Sequence, residues 1–184
     1  MVEFALVIPV FMALIVGISE LSFLLTIKTE ISFASQNATQ LAAELGNTAD
    51  ADCMILQGID QDTGAPAAKA NLKAVNIFWT DFTGTSKAAD VWTKPGLYHC
   101  AVLNTDILWS KGAQGYPTSD RCNILSGVTC TTGHGGAANG GVDWIGVTIN
   151  YQYKWITPLP GLTGLGGAAP MFSETHISRL EPVQ

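Results

Sequence analysis

Charged residues are scarce in this chain, and basic residues are the scarcest of them. Only 13% of the 184 residues are charged, and 9 Lys and Arg stand against 15 Asp and Glu, a formal net charge of -6. Nucleic-acid binding needs a basic surface that neutralises phosphates, and the sequence has no basic stripe. The composition therefore excludes a nucleic-acid partner and argues against electrostatic attraction to anionic lipid.

Motifs for catalysis and for metal or cofactor binding are also missing. The three histidines show no H-E-x-x-H spacing, and no G-x-S-x-G turn supplies a nucleophile. The glycine-rich run 161–166 leads into a predicted strand, whereas a dinucleotide loop leads into a helix. Asp60 and Asp62 form only part of a calcium loop, because the third acid and the closing Glu are lacking, and a solvated acidic turn is the simpler interpretation. We expect no enzymatic activity, no cofactor and no metal site.

Cysteines are few but even in number. Four cysteines in a chain that we expect to be exported favour two disulfides, and the absence of C-x2-C spacing argues against a metal site. Four cysteines allow three pairings. A Cys122–Cys130 bridge would close a short loop, which leaves Cys53 to pair with Cys100. We predict these two disulfides, each contributing about 2–4 kcal/mol of stability.

Apolar sequence is abundant at the N-terminus. No charge occurs from Phe4 to Ser19, and the apolar character resumes after Glu20 as far as Ile27. A helix over this span would be about 36 Å long, which is enough to cross a bilayer. No basic n-region and no clean A-x-A site support a cleaved secretory peptide, so a plain signal-anchor helix is the alternative.

Four residues interrupt this apolar segment. Glu3 stands at its start and Glu20 inside it, and both acids require partners because a charge in an apolar helix is costly. Pro9 and Gly17 are points where such a helix can bend or locally melt.

The helical pattern continues beyond the apolar segment. Apolar residues recur at three- and four-residue spacing along one face, namely Ile27, Ile31, Ala34, Ala38, Leu41, Ala42 and Leu45. Gly46 is well placed to end the helix. We predict one helix of about 42 residues, with a membrane-length or filament-core section at 1–27 and an amphipathic continuation at 28–46.

Residues 47–184 are predicted to form a β-rich, disulfide-stapled head with long loops, so the fold class is α+β. The acidic stretch 47–64 resembles a loop, and 65–74 a short helix that leads into a strand at 75–79. Further strands are predicted at 97–103, at 145–153, where apolar and polar residues alternate, and at 171–180. The loop 157–170 carries Leu162 and Leu165 with no charge, and we expect it to contact a neighbouring subunit.

Two regions of the chain resemble TadE-like pilins, subunits of tight-adherence (Flp) pili in the type IV filament superfamily. The N-terminal strings are VEFALVIPVF at 2–11 and GISEL at 17–21; the C-terminal ones are VTINYQY at 147–153, TPLPG at 157–161 and THISRLEP at 175–182. The resemblance covers about the first 45 and the last 40 residues. It implies a long pilin-type α-helix packed on an antiparallel head. It also implies that Glu3 pairs with the N-terminal amine of an adjacent subunit.

The same resemblance implies partners and a location. The subunit would lie in the inner membrane, be processed by a prepilin peptidase, and pass through the pilus assembly machinery into an extracellular filament of identical or related subunits. In that superfamily the peptidase cuts after a Gly and leaves the acid at the fifth mature position. Here Glu3 is third with no Gly before it, so either a leader and two mature residues precede this sequence or processing differs.

The expected function is therefore structural: assembly into an adhesive or surface-attachment pilus, with Glu3, Phe4, Pro9, Gly17 and Glu20 as assembly residues together with Leu162 and Leu165. An alternative from another class is a membrane-anchored extracytoplasmic glycan-binding module. In that alternative, the five tryptophans and the Gly-rich turns would form the sugar site.

Overall fold

The first element is a long helix. The computed structural model describes residues 2–81, 83–122, 142–156 and 169–180, and side chains from residue 7 onward. Helix α1 covers Val2–Leu45 and is 44 residues long. It ends where Gly46 adopts a φ of +51° and donates its N–H to the Ala42 carbonyl at 3.1 Å, the left-handed ending that glycine adopts at least cost. The prediction of one continuous helix is confirmed.

The second half of α1 buries one stripe against the rest of the molecule. Ile27, Ile31, Ala34, Ala38 and Ala42 are buried, and Leu41 and Leu45 pack against the same core. These are the residues whose spacing predicted an amphipathic face. The stripe lies on strands β6 and β7 and on helix α2, which are defined next.

The predicted acidic loop at 47–64 is wrong, because most of it is a helix. Helix α2 covers Ala51–Asp62 and buries Cys53, Ile55, Leu56 and Ile59. Its aspartates are held by partners from elsewhere in the chain. Asp60 accepts from Lys94 Nζ at 2.5 Å and from Trp109 Nε1 at 3.1 Å, and Asp62 accepts from Asn37 Nδ2 at 3.1 Å.

The head is built on a five-stranded antiparallel sheet with the spatial order β5-β2-β1-β6-β7, and a separate β3–β4 hairpin. The strands are β1 Leu72–Thr80, β2 Ser86–Thr93, β3 Tyr98–Cys100, β4 Thr105–Ile107, β5 Ser110–Gln114, β6 Trp144–Gln152 and β7 Met171–Arg179. Helices and an antiparallel sheet that follow one another along the chain make this an α+β fold, as predicted.

The strand predictions differ in accuracy. Strands β6 and β7 are confirmed to within one residue at each end. Strand β1 begins at Leu72, and the helix expected before it is a single 3-10 turn over Lys69–Asn71. The strand expected at 97–103 is shorter, because residues 101–104 form the turn of the β3–β4 hairpin. Strands β2, β4 and β5 were not predicted.

Hydrogen bonds join α1 to the sheet along the buried stripe. Ser35 Oγ donates to the Val147 carbonyl at 2.9 Å, and Thr39 Oγ1 donates to the His176 carbonyl at 3.2 Å. Val75, Ile77 and Ile149 on that side of the sheet belong to the same core as the helix stripe. The second half of α1 is therefore part of the head, with its polar side chains satisfied by strand carbonyls.

A disulfide connects α2 to the hairpin. Cys53 in α2 is bonded to Cys100 at the end of β3, 47 residues later in the chain, which is one of the two predicted pairs. Asp50 strengthens the junction, since its Oδ2 accepts from the backbone N–H groups of Val102 at 2.5 Å and Leu103 at 3.3 Å. The other predicted pair involves Cys130, which lies outside the described residues.

Candidate assembly surface

The first half of α1 presents an apolar surface that the head does not cover. Its large side chains are exposed, namely Val7, Ile8, Val10, Phe11, Met12, Leu14, Ile15, Ile18, Leu21, Phe23 and Leu25. The helix is long and apolar enough to cross a membrane. Exposed apolar surface on this scale marks a site of membrane or protein contact. We name residues 7–19 the free apolar section.

The residues predicted to act in assembly fall in different places. Glu3 and Phe4 lie in the first turns of α1, and their side chains are outside what the structure describes. Pro9 is inside the helix, and α1 runs continuously past it and past Gly17. Leu162 and Leu165 lie outside the described residues. Of the predicted assembly residues, Pro9, Gly17 and Glu20 are described, and they lie eight and three residues apart along α1.

Gly17 lies in open space. Apart from the neighbouring backbone of α1 itself, no heavy atom of the described residues comes within 4 Å of a Cβ built on Gly17. The described part of the head therefore does not require glycine at this position.

Glu20 has partners that the sequence did not reveal. Its side chain is only 6% exposed. Its Oε1 accepts from the hydroxyl of Tyr153 at 2.6 Å and from the backbone N–H of Ile156 at 3.0 Å. Both donors come from the segment that follows β6. The acid inside the apolar helix is therefore buried against the head and hydrogen-bonded there, which offsets much of its desolvation cost.

One signal for this contact was present in the sequence. Glu20 is four residues before Leu24 and seven before Ile27, so it lies on the same helical face as the buried stripe. Tyr153 is fully buried and packs edge-on against Trp155, with ring centroids 5.4 Å apart. Burial, and then the hydrogen bond to Glu20, raise the pKa of Tyr153 above its ordinary value. The hydroxyl therefore keeps its proton and acts as the donor.

Hydroxyl groups near Glu20 are satisfied within the helix. Ser19 and Ser22 donate to the carbonyls four residues earlier at 2.9 Å, Thr26 does the same at 2.9 Å, and Thr29 donates to the Thr26 carbonyl at 2.7 Å. These bonds let small polar residues face an apolar environment without a partner from another chain.

A second polar cluster is buried in the head around Arg121. The Arg121 guanidinium donates to Asp52 and lies 3.9 Å from Asp90 Oδ2. Asp90 Oδ1 accepts from the Tyr116 N–H at 2.7 Å. Asp143 Oδ2 accepts from the Tyr116 hydroxyl at 3.2 Å and from the Cys122 N–H at 3.0 Å. Burial raises the pKa of Asp90, against the opposing effect of the Tyr116 N–H.

This cluster ties α2, β2 and the start of β6 together. Every acid in it already has a protein partner. Within residues 2–81, 83–122, 142–156 and 169–180, no group of three His, Cys, Asp or Glu residues is arranged to hold a metal ion. We interpret the Arg121 cluster as a structural core network.

The tryptophans do not form an exposed aromatic row. Trp92 and Trp109 are buried, and Trp79, Trp144 and Trp155 are partly buried. The Trp109 indole donates to Asp60, and Lys94 lies 4.4 Å from the centre of its ring. A sugar-binding face needs open ring faces, so the five tryptophans give the glycan-binding alternative no specific support. The Gly-rich turns of that alternative lie outside the described residues.

Comparison with known proteins adds one finding. The family model described as "TadE-like protein" matches residues 1–40, which include the free apolar section, Glu20 and part of the buried stripe. No curated protein and no solved structure matches the chain. Residues 1–40 are therefore similar to the TadE-like family, and the comparisons say nothing of residues 41–184.

Proposed function

We propose that the protein is a structural, non-enzymatic pilin-like subunit that assembles through α1 into an extracellular tight-adherence pilus, serving adhesion or surface attachment. The observation that carries this proposal is the free apolar section, exposed on a helix whose first 40 residues match a TadE-like domain.

Burying the free apolar section against a partner is favourable in free energy. Burying one exposed Val, Leu, Ile or Phe side chain is worth about 1.5–3 kcal/mol. The head supplies no cover for Val10, Phe11 or Leu14, so their burial has to come from outside the monomer. A bilayer covers them before assembly, and the helices of neighbouring subunits cover them in the filament.

Two further contacts belong to the proposal. Glu3 pairs with the N-terminal amine of an adjacent subunit and so sets the axial register, because an unpaired acid in an apolar filament core costs several kcal/mol. Leu162 and Leu165 add lateral contacts between heads. The subunit reaches the filament from the inner membrane through a prepilin peptidase and the pilus assembly machinery.

The test compares two pairs of exposed apolar residues. Phe11→Ala with Leu14→Ala removes packing surface from the free apolar section but leaves it apolar enough to enter a bilayer. The matched control, Val102→Ala with Leu108→Ala, removes exposed apolar surface from the β3–β4 hairpin region. Filament yield is measured in the sheared extracellular fraction and by electron microscopy, and membrane-bound subunit by immunoblot.

We expect the helix pair to lower filament yield strongly, with unchanged membrane-bound subunit, and the control pair to assemble normally. Equal filament yield from both pairs would show that the free apolar section is an anchor and not an assembly surface.

A further inference from the structure

The contacts between α1 and the head fix where the head lies along the helix. They follow one another in order: Glu20 with Tyr153 and Ile156, then Lys28 with Glu174 at 3.8 Å, then Ser32 with His176 at 3.3 Å. Strand β7 therefore runs along α1 in the same sense as the helix. Among the described residues, the segment after β6 and the start of β7 form the end of the head nearest the free apolar section.

This end of the head carries an unusual set of exposed side chains. Ile156 is 57% exposed and Met171, the first residue of β7, is 58% exposed. Lys154, two residues before Ile156, is exposed, and Trp155 is partly buried. The Tyr153 N–H donates to the Pro170 carbonyl at 2.9 Å, which holds the two segments side by side. We name Lys154, Trp155, Ile156 and Met171 the collar.

The residue types in the collar are typical of the interface between a bilayer and water. Trp and Lys are enriched where a bilayer meets water, because Trp has an apolar ring with a polar tip and Lys can extend its ammonium towards headgroups. Ile and Met supply apolar side chains that insert below that level. A water-facing end of a head would not gain from exposing Ile156 and Met171 together.

The charge-free section of the helix ahead of the collar fits the same placement. No charge occurs from Phe4 to Ser19, so the uncharged part of α1 ends at Glu20, which accepts a hydrogen bond from the backbone N–H of the collar residue Ile156. Glu20, shielded by Tyr153, then lies at the boundary of the hydrocarbon. A boundary at Ile27, as predicted from hydropathy, would instead place the Glu20 carboxylate about 10 Å inside the hydrocarbon.

We propose that the collar docks on the interfacial layer of the phospholipid bilayer before assembly and sets the depth of the subunit, with the membrane boundary at Glu20. This inference rests on the membrane stage of the proposed function. The Glu20–Tyr153 bond holds the collar at that level, and extraction of the subunit into a filament removes the collar from lipid.

Photo-crosslinking in lipid vesicles tests the proposal. The full chain is reconstituted into vesicles of phosphatidylethanolamine with a minority of phosphatidylglycerol. A benzophenone amino acid is placed in turn at Ile156, at Met171, at Phe11 and at Leu108, all of them exposed in the monomer. Position 11 reports whether α1 is in the bilayer, and position 108 is the control on the head. Correct folding is checked from the oxidised Cys53–Cys100 bond.

We expect lipid adducts at positions 11, 156 and 171, and none at 108. A lipid adduct at 11 alone would overturn the collar while leaving the membrane stage of the proposed function intact. Absence of lipid adducts at all positions would overturn both. Protein adducts at 156 and 171 in place of lipid would assign this surface to a protein partner, and a lipid adduct at 108 as well would show that the contact is not specific to the collar.

Discussion

At the scale of single residues, two acids in one helix have different environments. Glu20 is enclosed by the head and accepts two hydrogen bonds from it, so its carboxylate contributes to the stability of the monomer. Glu3 lies 17 residues earlier, about 26 Å along the helix, far from the first head contact. In the sequence, both acids are charged side chains within an apolar helix. The fold shows that Glu20 has hydrogen-bond partners within the chain.

The first prediction concerns the Tyr153 hydroxyl. Tyr153→Phe removes a charge-assisted hydrogen bond to Glu20, and we expect it to lower the free energy of unfolding by about 1.5–3 kcal/mol. Denaturant unfolding of the detergent-solubilised protein measures this, with Glu20→Gln as the second arm of a double-mutant cycle. A loss under about 0.5 kcal/mol would mean that the bond contributes little.

The pH dependence provides a second readout of the same substitution. The pKa of Tyr153 is higher in the folded protein than the ordinary value of 10.0. The folded state therefore binds this proton more tightly, and the resulting stability is present below pH 10 and lost as the pH rises above it. Burial also raises the pKa of Tyr116, so its contribution to stability depends on pH in the same way. The wild-type protein should lose stability more steeply in alkali than the Tyr153→Phe protein.

The second prediction separates the two acids beside Arg121. Asp52 is the close partner of the buried guanidinium, so Asp52→Asn should cost about 3 kcal/mol. Burial raises the pKa of Asp90, which means that burial penalises its charged form, and Asn keeps an oxygen for the Tyr116 N–H. Asp90→Asn should therefore cost under about 1 kcal/mol at pH 7. Thermal unfolding of both variants measures the two losses of stability. A larger loss for Asp90→Asn than for Asp52→Asn would exchange the roles assigned to the two acids.

At the scale of elements, prediction from sequence succeeded where one periodic pattern determined the structure. The stripe from Ile27 to Leu45 and the alternation in β6 each follow from local spacing. Helix α2 was missed because its four neighbouring aspartates resembled a loop, although Ile55, Leu56 and Ile59 have helical spacing. The groups that hold those aspartates, Arg121 and Lys94, are 69 and 34 residues away from their partners.

Strand β2 was missed for a related reason. Its buried positions include Asp90 beside Trp92, so its pattern does not alternate between apolar and polar residues. Asp90 is acceptable there only because Tyr116 and Arg121 converge on it in three dimensions. Likewise, the stripe could have been extended to Glu20 from spacing, but its partners Tyr153 and Ile156, 133 and 136 residues away, could not be read from the sequence.

The third prediction is about how helices pack on one another at Gly17. Since the monomer leaves space around Gly17, Gly17→Ala should not destabilise the head and should favour the helix by up to about 1 kcal/mol. If a neighbouring helix approaches closely at this point in the filament, filament yield should fall as the side chain at position 17 becomes larger. Gly17→Leu should therefore give less filament than Gly17→Ala. Filament yield and thermal unfolding are measured together. Normal filaments from Gly17→Leu would remove Gly17 from the assembly surface.

At the scale of the whole molecule, one helix performs two tasks with different parts of its surface. The stripe from Glu20 onward belongs to the head, where Ile31 and Ala34 are fully buried. The free apolar section and the outer face, including Phe33 at 60% exposure, are left for other surfaces. Because these surfaces do not overlap, the proposed exchange of lipid for neighbouring helices does not require the head to unfold.

The last prediction uses this separation to distinguish folding from assembly. Glu3→Ala should abolish incorporation into filaments, because the proposed pairing with the N-terminal amine of an adjacent subunit is lost. It should leave the head's melting temperature and the Cys53–Cys100 bond unchanged, since Glu3 precedes every described contact between α1 and the head. Glu20→Ala is the matched variant, and it should lower the melting temperature because a buried acceptor for Tyr153 is removed. Immunoblots of the sheared fraction and thermal unfolding of the purified subunit are compared for both variants. Normal filament yield from Glu3→Ala would refute the pairing, and a loss of head stability in that variant would place Glu3 in the fold instead of in the filament contact.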